Sequence, residues 1–381
     1  MKTSVKFKTA FTILISFFLV TVNSGFTSMQ QQETVQQATK RKIQIALLLD
    51  TSNSMDGLID QAKSQLWNIV NELAKAKHGE DEIELEIALY EYGNSNLSAE
   101  TGYIRQVQPL INDLDKLSIS LFALRTNGGQ EYCGTVIDRA TRQLEWSNSD
   151  KDIRMIFIAG NEPFTQGELK YEVACGNARS KDIIINTIHC GNYDEGVTGL
   201  WKSGALIGGG DYMSIEQDRK TVYVKTPYDQ RINELSVQLN NTYIYYGSMG
   251  KDKKAEQETA DSQAATLSES NLSARNSVKA SKYYKNAMWD LVDASEKEGF
   301  DITKVDKKTL PAELKNMTDA QLKAYVEAKK KEREKLKNEI QVLNNAREYY
   351  IAQQKKENAP TVESTMTTAI KKQAVKKNYV W

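Results

Sequence analysis

The chain has 381 residues, with 50 Lys and Arg against 50 Asp and Glu and a formal net charge of zero. That balance argues against binding nucleic acid or an anionic membrane through bulk charge. The length exceeds one typical core, so a second element is expected beside the main domain.

Residues 1–28 read as a cleavable secretory signal. Lys2, Lys6 and Lys8 precede an apolar core over residues 10–22, and the small residues Ser24, Gly25 and Ser28 follow. An apolar core of about 13 residues is short of the roughly 20 that a membrane span needs, and its flanks suit cleavage, so an uncleaved anchor is the alternative reading. A secreted or periplasmic protein is expected, and no cysteine stands before Cys133 to carry a lipid. Residues 29–41 are polar and glutamine-rich, a leader ahead of the domain.

Residues 43–49 form a near-continuous apolar run, as a strand buried on both faces of a parallel sheet requires. The run breaks at Asp50-Thr-Ser-Asn-Ser54, with Gly57 after it. Leu58, Ile59, Ala62, Leu66, Ile69, Val70 and Leu73 then recur at helical spacing. Residues 84–90 predict a second strand, and 103–109 a short edge strand whose pairing stops at Pro109. A helix is expected over 113–124, with Leu114, Leu117 and Leu121 on one face. After a loop at 125–129, residues 132–146 predict another, with Val136, Ile137, Ala140 and Leu144 inward. Further strands are expected at 154–158 and 183–188, with a helix at 168–180 between them. Gly208-Gly-Gly210 lacks a following Lys and reads as a turn into a last strand rather than a phosphate cradle. Strands alternating with helices in this way predict an α/β, doubly wound, mainly parallel sheet with helices on both faces, closing near residue 246.

Beyond Gly250 the composition shifts to Ala, Lys, Glu, Gln and Ser. Val278, Ser281, Tyr284, Met288 and Leu291 share one helical face, and a second helix is expected from Thr318 or Asp319. Leu336, Ile340, Leu343 and Tyr350 approach a heptad seam, which Lys329 and Arg333 interrupt upstream. The expectation is a helical region over 251–358, folded as an antiparallel hairpin or coiled coil that docks or oligomerises. A mobile tail is expected over 359–381.

Asp50, Ser52 and Ser54 are oxygen donors at alternate positions, which face the same way on an extended loop. Such a set suits a hard cation, which takes about six oxygens when it is Mg²⁺. Either serine would equally cap the helix that follows. An EF-hand does not fit, because the place that needs a bidentate Glu is held by Gln61.

Asp50-x-Ser52-x-Ser54 after a first buried strand resembles the metal-ion-dependent adhesion site (MIDAS) of the von Willebrand factor type A (VWA) family. The resemblance covers about residues 42–246. It implies a doubly wound domain with a divalent cation in its top loops, usually Mg²⁺, with Mn²⁺ or Ca²⁺ as alternatives. Asp50 would act through a bound water, Ser52 and Ser54 directly, and a carboxylate of the ligand often completes the shell. The resemblance also implies a Thr after a Gly-Gly pair and an Asp after a later strand. Here Gly128-Gly129 is followed by Gln130 and Glu131, with Thr126 and Thr135 the nearest hydroxyls, and Asn161 and Glu162 stand at the later place. Glu131, with Gln130 next, and Asn161 are the expected substitutes. A carboxylate at 131 neutralises more of the ion's charge and lowers its affinity for an acidic ligand. Glu131 also suits the first turn of a helix through the helix dipole.

The leading expectation is an exported binding protein that recognises an unidentified protein partner at the metal-site face. The alternative is a structural envelope-assembly protein with a degenerate site, and a metal-dependent hydrolase is the minor one. A non-enzyme is expected because the inventory is thin. The sequence contains 2 histidines, His78 and His189, and no nucleophile elbow, H-E-x-x-H or Walker loop. His189 and Cys190 are neighbours on a strand and point to opposite faces, a poor dyad. Three cysteines, Cys133, Cys175 and Cys190, are too few for a disulfide scaffold. A Cys175–Cys190 bridge is a hypothesis, since both fall at the sheet's upper edge.

Overall fold

A computed structural model describes residues 40–216, 218–219, 221–354 and 361–381. The expected signal and nearly all of the polar leader lie outside the described residues. The first part runs β1 (Lys40–Asp50), α1 (Asp56–Ala74), β2 (Glu82–Tyr92), β3 (Ile104–Ile111), α2 (Leu114–Ala123), α3 (Cys133–Gln143), β4 (Ile153–Gly160) and α4 (Tyr171–Ser180). It continues with β5 (Ile184–Cys190), α5 (Tyr193–Thr198), α6 (Trp201–Ile207) and β6 (Gly209–Ile215). Helices α7 (Asp229–Asn240), α8 (Gly250–Leu267), α9 (Glu269–Lys279), α10 (Leu291–Ser295), α11 (Asp319–Gln354) and α12 (Val362–Ala374) complete it.

The six strands lie in the order β3-β2-β1-β4-β5-β6, all parallel except the antiparallel pair β2–β3. This is the doubly wound, mainly parallel sheet the sequence predicts. The continuous apolar run of β1 is explained by burial on two sides. Ile43, Ile45, Leu47 and Leu49 enter one core with α1 and α2, while Ala46 and Leu48 enter the other with α3, α4 and α6. The order reverses between β1 and β4, so the carboxyl ends of those two strands flank the crevice where open α/β sheets bind ligands.

Several boundaries differ from expectation. Lys40 and Arg41 belong to β1 rather than to a leader, paired with Glu82 and Ile83. Pro109 does not end β3; the β2–β3 ladder shifts register around it, as an edge strand with an irregularity permits. The cysteines are all free and buried. Cys175 packs in the α3–α4 core and Cys190 in the α1 core, on opposite faces of the sheet, so the bridge hypothesis is wrong.

The helical region is not a hairpin. Ala260 and Ala264 of α8 and Ala274 and Val278 of α9 join the same core as β1 and α1. The seam residues Leu336 and Ile340 of α11 pack on Ile232, Leu235 and Leu239 of α7, and Leu322 and Val326 pack on Leu291, Leu310 and Leu314. Arg333, which breaks the heptad pattern, is a buried anchor. Its Nη1 lies 2.6 Å from Asp293 Oδ1, Nη2 donates to the Thr242 carbonyl at 2.6 Å, and the guanidinium sits 4.0 Å over the Tyr243 ring.

Residues 361–381 are not a mobile tail. Thr361 and Ser364 form a capping box for α12, and Val362, Met366, Ala369, Ile370 and Ala374 are buried in the α1 core. Val380 pairs with Lys77, and Tyr379 is fully buried. The basic residues that made this stretch look solvated pair with the body: Lys371 with Glu72, Lys372 with Asp211, and Lys377 with Asp182. Among the described residues, no helix is long and apolar enough to cross a membrane.

Candidate metal centre

Asp50 is the last residue of β1, and its partner strand β4 ends at Gly160. Asp50 Oδ1 accepts from the Ser52 backbone N–H at 2.7 Å, which turns the chain sharply off the strand. Ser52 Oγ and Ser54 Oγ are 3.3 Å apart, and Asn161 Nδ2 donates to Ser54 Oγ at 3.1 Å. The loops after β1 and β4 are thereby joined across the switch point.

Glu131 arrives from the other side, just before α3. It meets Asp50 over Gly93, where a Cβ would lie 2.6 Å from Asp50 Oδ1 and 2.9 Å from Glu131 Cγ. Gly93 also has φ +78°, a conformation that favours glycine. Gly129 crosses the Gly93 backbone so closely that a Cβ would lie 2.5 Å from its carbonyl oxygen. The Gly-Gly pair therefore permits the backbone crossing that delivers Glu131. The structure brings all five expected residues, Asp50, Ser52, Ser54, Glu131 and Asn161, to one edge. It does not bring Thr126, which donates to Asp56 at the mouth, and Gln130 is exposed.

Burial raises the pKa of Asp50, partly offset by its contacts with Glu131 and Ser52. Burial also raises Glu131, and the Asp50 charge pushes it further. Glu162 adds repulsion to both. Two touching carboxyls in this setting need a proton or a cation between them. Three buried oxygens, Asp50 Oδ2, Glu131 Oε2 and Asn161 Oδ1, have no hydrogen-bond partner. Buried polar atoms are nearly always paired, and three unpartnered acceptors on adjoining loops of one sheet edge fit a cation. No group of three or more His, Cys, Asp or Glu among the described residues forms a metal cluster. The candidate donors instead mix carboxylates, hydroxyls and an amide, an all-oxygen set that suits a hard cation rather than one preferring thiolate or imidazole.

Sequence reasoning missed the residues that hold this set in place. Gln166 Oε1 accepts from the Glu131 backbone N–H at 3.0 Å, while its Nε2 reaches Glu162 Oε2 at 3.4 Å. Tyr92 donates to the Ala159 carbonyl at 2.9 Å, and a Cβ at Gly160 would lie 2.5 Å from its hydroxyl and 3.1 Å from Asp50 Oδ2. Asn94 donates to the Arg125 carbonyl at 2.8 Å and Ser95 N–H to the Gly128 carbonyl at 2.7 Å, which knits two further loops together. The strand end at Tyr92 was a readable signal; Gln166 sits in a loop with no periodicity. His189 and Cys190 do point to opposite faces. The His189 ring lies 5.8 Å from that of Trp201, with both nitrogens unpartnered, and Cys190 enters the α1 core.

No family model matches the chain, and no curated protein matches it in sequence. Among solved structures it is similar to the conserved hypothetical protein BatB from Bacteroides thetaiotaomicron, at 17% identity over 45% of this chain and 90% of that one, with a TM-score of 0.35. It is similar to the SpRpn10 VWA domain at 16% identity over 45% of this chain and 87% of that one, TM-score 0.35. A third similar structure is proximal thread matrix protein 1 from the mussel byssus with a zinc-occupied MIDAS motif. There the identity is 13% over 48% of this chain and 43% of that one, TM-score 0.34.

Proposed function

We propose that this is an exported binding protein that holds a divalent cation at the carboxyl edge of its sheet and uses that edge to engage a partner protein. The observation that carries the reading is the trio of orphaned buried oxygens, Asp50 Oδ2, Glu131 Oε2 and Asn161 Oδ1, beside the Ser52 and Ser54 hydroxyls. Mg²⁺ is the first candidate, with Mn²⁺ and Ca²⁺ next, since the donors are all oxygens. When bound, the cation would supply positive charge that offsets the buried carboxylates. The chain's own part is positional: Gly93 and Gly129 admit the two carboxylates, Gln166 fixes the backbone of Glu131, and Asn161 ties the β4 loop to Ser54. Export rests on the composition of residues 1–28. Binding is preferred to catalysis because neither histidine contacts the candidate donors: His78 pairs with Asp81. His189 faces Trp201. An assembly role through a coiled-coil seam has less support, since Leu336 and Ile340 are already covered by α7.

Calorimetric titration with Mg²⁺, Mn²⁺ and Ca²⁺ tests the metal. Saturable heat in the wild type that disappears in Asp50→Ala is expected. A wild type that takes up none of the three overturns the reading.

A further inference from the structure

We infer that a polar cleft between α1 and the last helices binds a neutral oligosaccharide. The site is separate from the candidate metal centre and does not rest on it. Helix α9 covers α1 with Ala274 and Val278, and α12 covers it with Val362 and Met366. At the first turns of both helices, marked by Ser270 and Ser364, that apolar cover opens into a cleft of about 430 Å³. This volume is within the range of small-ligand sites. An adjoining well of about 280 Å³ shares Asn71, Lys75 and Glu348 with it. Asn68, in the cleft, lies about 18 Å along α1 from Asp56, the end nearest the metal loops.

Six amides line the cleft and its well: Gln65, Asn68 and Asn71 on α1, and Gln341, Asn344 and Asn345 on α11. The first three recur every third residue, so they run about 9 Å along one side of the helix, the length of a disaccharide. A primary amide donates and accepts at once, as neighbouring sugar hydroxyls require. Asn68 is half-buried, yet its side chain and that of Asn345 make no hydrogen bond among the described residues. Arg347, itself buried, also lines the cleft. Its Nε pairs with Asp229 Oδ1 at 2.7 Å and its Nη2 donates to the Ser270 carbonyl and hydroxyl, which leaves Nη1 as a donor to spare. The half-buried Tyr223 ring forms part of another wall, its hydroxyl held by Ser64, and offers a flat surface to the C–H face of a pyranose.

Charge fixes the ligand class. Three acids, Glu72, Glu348 and Glu363, line the cleft with three bases, Lys75, Arg219 and Arg347. Lys75 already pairs with Glu72 and Glu348, and Arg347 with Asp229. Neither an anion nor a cation gains net attraction there, whereas a neutral polyol gains hydrogen bonds.

The test uses the full chain and saturation-transfer NMR with cellobiose, maltose and N,N′-diacetylchitobiose, followed by calorimetry on those that bind. The dimers of galacturonic acid and of glucosamine serve as charged counterparts. At least one neutral disaccharide is expected to bind saturably to the wild type. Asn68→Ala should weaken it about tenfold or more and Asn345→Ala severalfold, with unchanged melting temperatures because neither amide is bonded to the protein. Asn68→Trp, which fills the cleft, should abolish binding. A chelator should leave sugar binding intact, so this site and the metal centre stand or fall separately. No neutral sugar bound by wild type, tighter binding of either charged dimer, loss of binding with chelator, or binding that survives Asn68→Trp overturns the inference.

Discussion

Gly93 decides whether the candidate site exists. Gly93→Ala forces a Cβ against Asp50 and Glu131 at a backbone angle that side chains resist. We expect a cost of about 1–3 kcal/mol in stability and at least a tenfold loss of Mg²⁺ affinity, read by thermal melts and calorimetry. Gln166→Ala is a milder probe. It leaves every candidate donor in place and should weaken Mg²⁺ binding severalfold with little change in melting temperature. At this scale the sequence was informative where spacing carries chemistry. Asp50, Ser52 and Ser54 stand two apart after an apolar run, and Gly128-Gly129 marks the crossing that delivers Glu131. Gly93 and Gln166 were invisible because their roles depend on what lies across the fold, and a lone Gly or Gln in a loop has no pattern.

The helices beyond α7 are held by buried ion pairs as much as by apolar packing. Arg275 and Lys279 of α9 are fully buried. Arg275 pairs with Asp115 of α2 and lies 3.1 Å from Asp261 of α8, and Lys279 Nζ lies 2.6 Å from Asp261. Burial alone would raise Asp261, but Lys279 and Arg275 outweigh it and hold its pKa at about 2. Its folded value lies below its ordinary one, so its contribution is present above about pH 4 and is lost as the pH falls toward 2. Asp261→Asn should remove that part of the acid-denaturation arm. It should also cost a few kcal/mol at neutral pH, about 3 by the usual penalty for breaking a buried pair, by leaving Lys279 without a carboxylate while Arg275 keeps Asp115, which urea melts across the pH range would record. This layer is also where sequence reasoning failed. Arg333 looked like a fault in a coiled coil, and buried charge cannot be told from solvated charge by periodicity. Likewise Val362, Met366, Ala369 and Ile370 carry helical spacing, but the lysines that follow them, Lys371, Lys372, Lys376 and Lys377, read as a polar tail.

The whole molecule shares one of its cores between the sheet and the last helices, so the expected division near residue 246 is not a line of separation. The core that contains Ile43 and Leu66 also contains Ala274, Val278, Met366 and Tyr379. We expect a single cooperative calorimetric transition for the full chain. A chain ending at Tyr246 should expose this apolar surface and aggregate, and two resolved transitions together with a soluble, folded shortened form would contradict that. Deleting residues 361–381 alone should lower the melting temperature by many degrees, since it removes five buried apolar residues of α12 together with Tyr379. The doubly wound topology itself was legible, because alternating strand and helix patterns are local. The covering of its α1 face was not, because long-range docking leaves no mark at short sequence spacing.

The packing of Tyr379 and α12 against α1 has a consequence for biogenesis. Contacts such as Lys77 with Val380 and Trp381 Nε1 with the Glu72 carbonyl join residues some 300 positions apart. While the chain is being synthesised, the part of the α1 core that α12 and Tyr379 cover stays open until translation has passed residue 379, so the native state is completed late. Pulse-proteolysis of ribosome-bound chains should find residues 40–246 cleavable until the α12 segment has emerged.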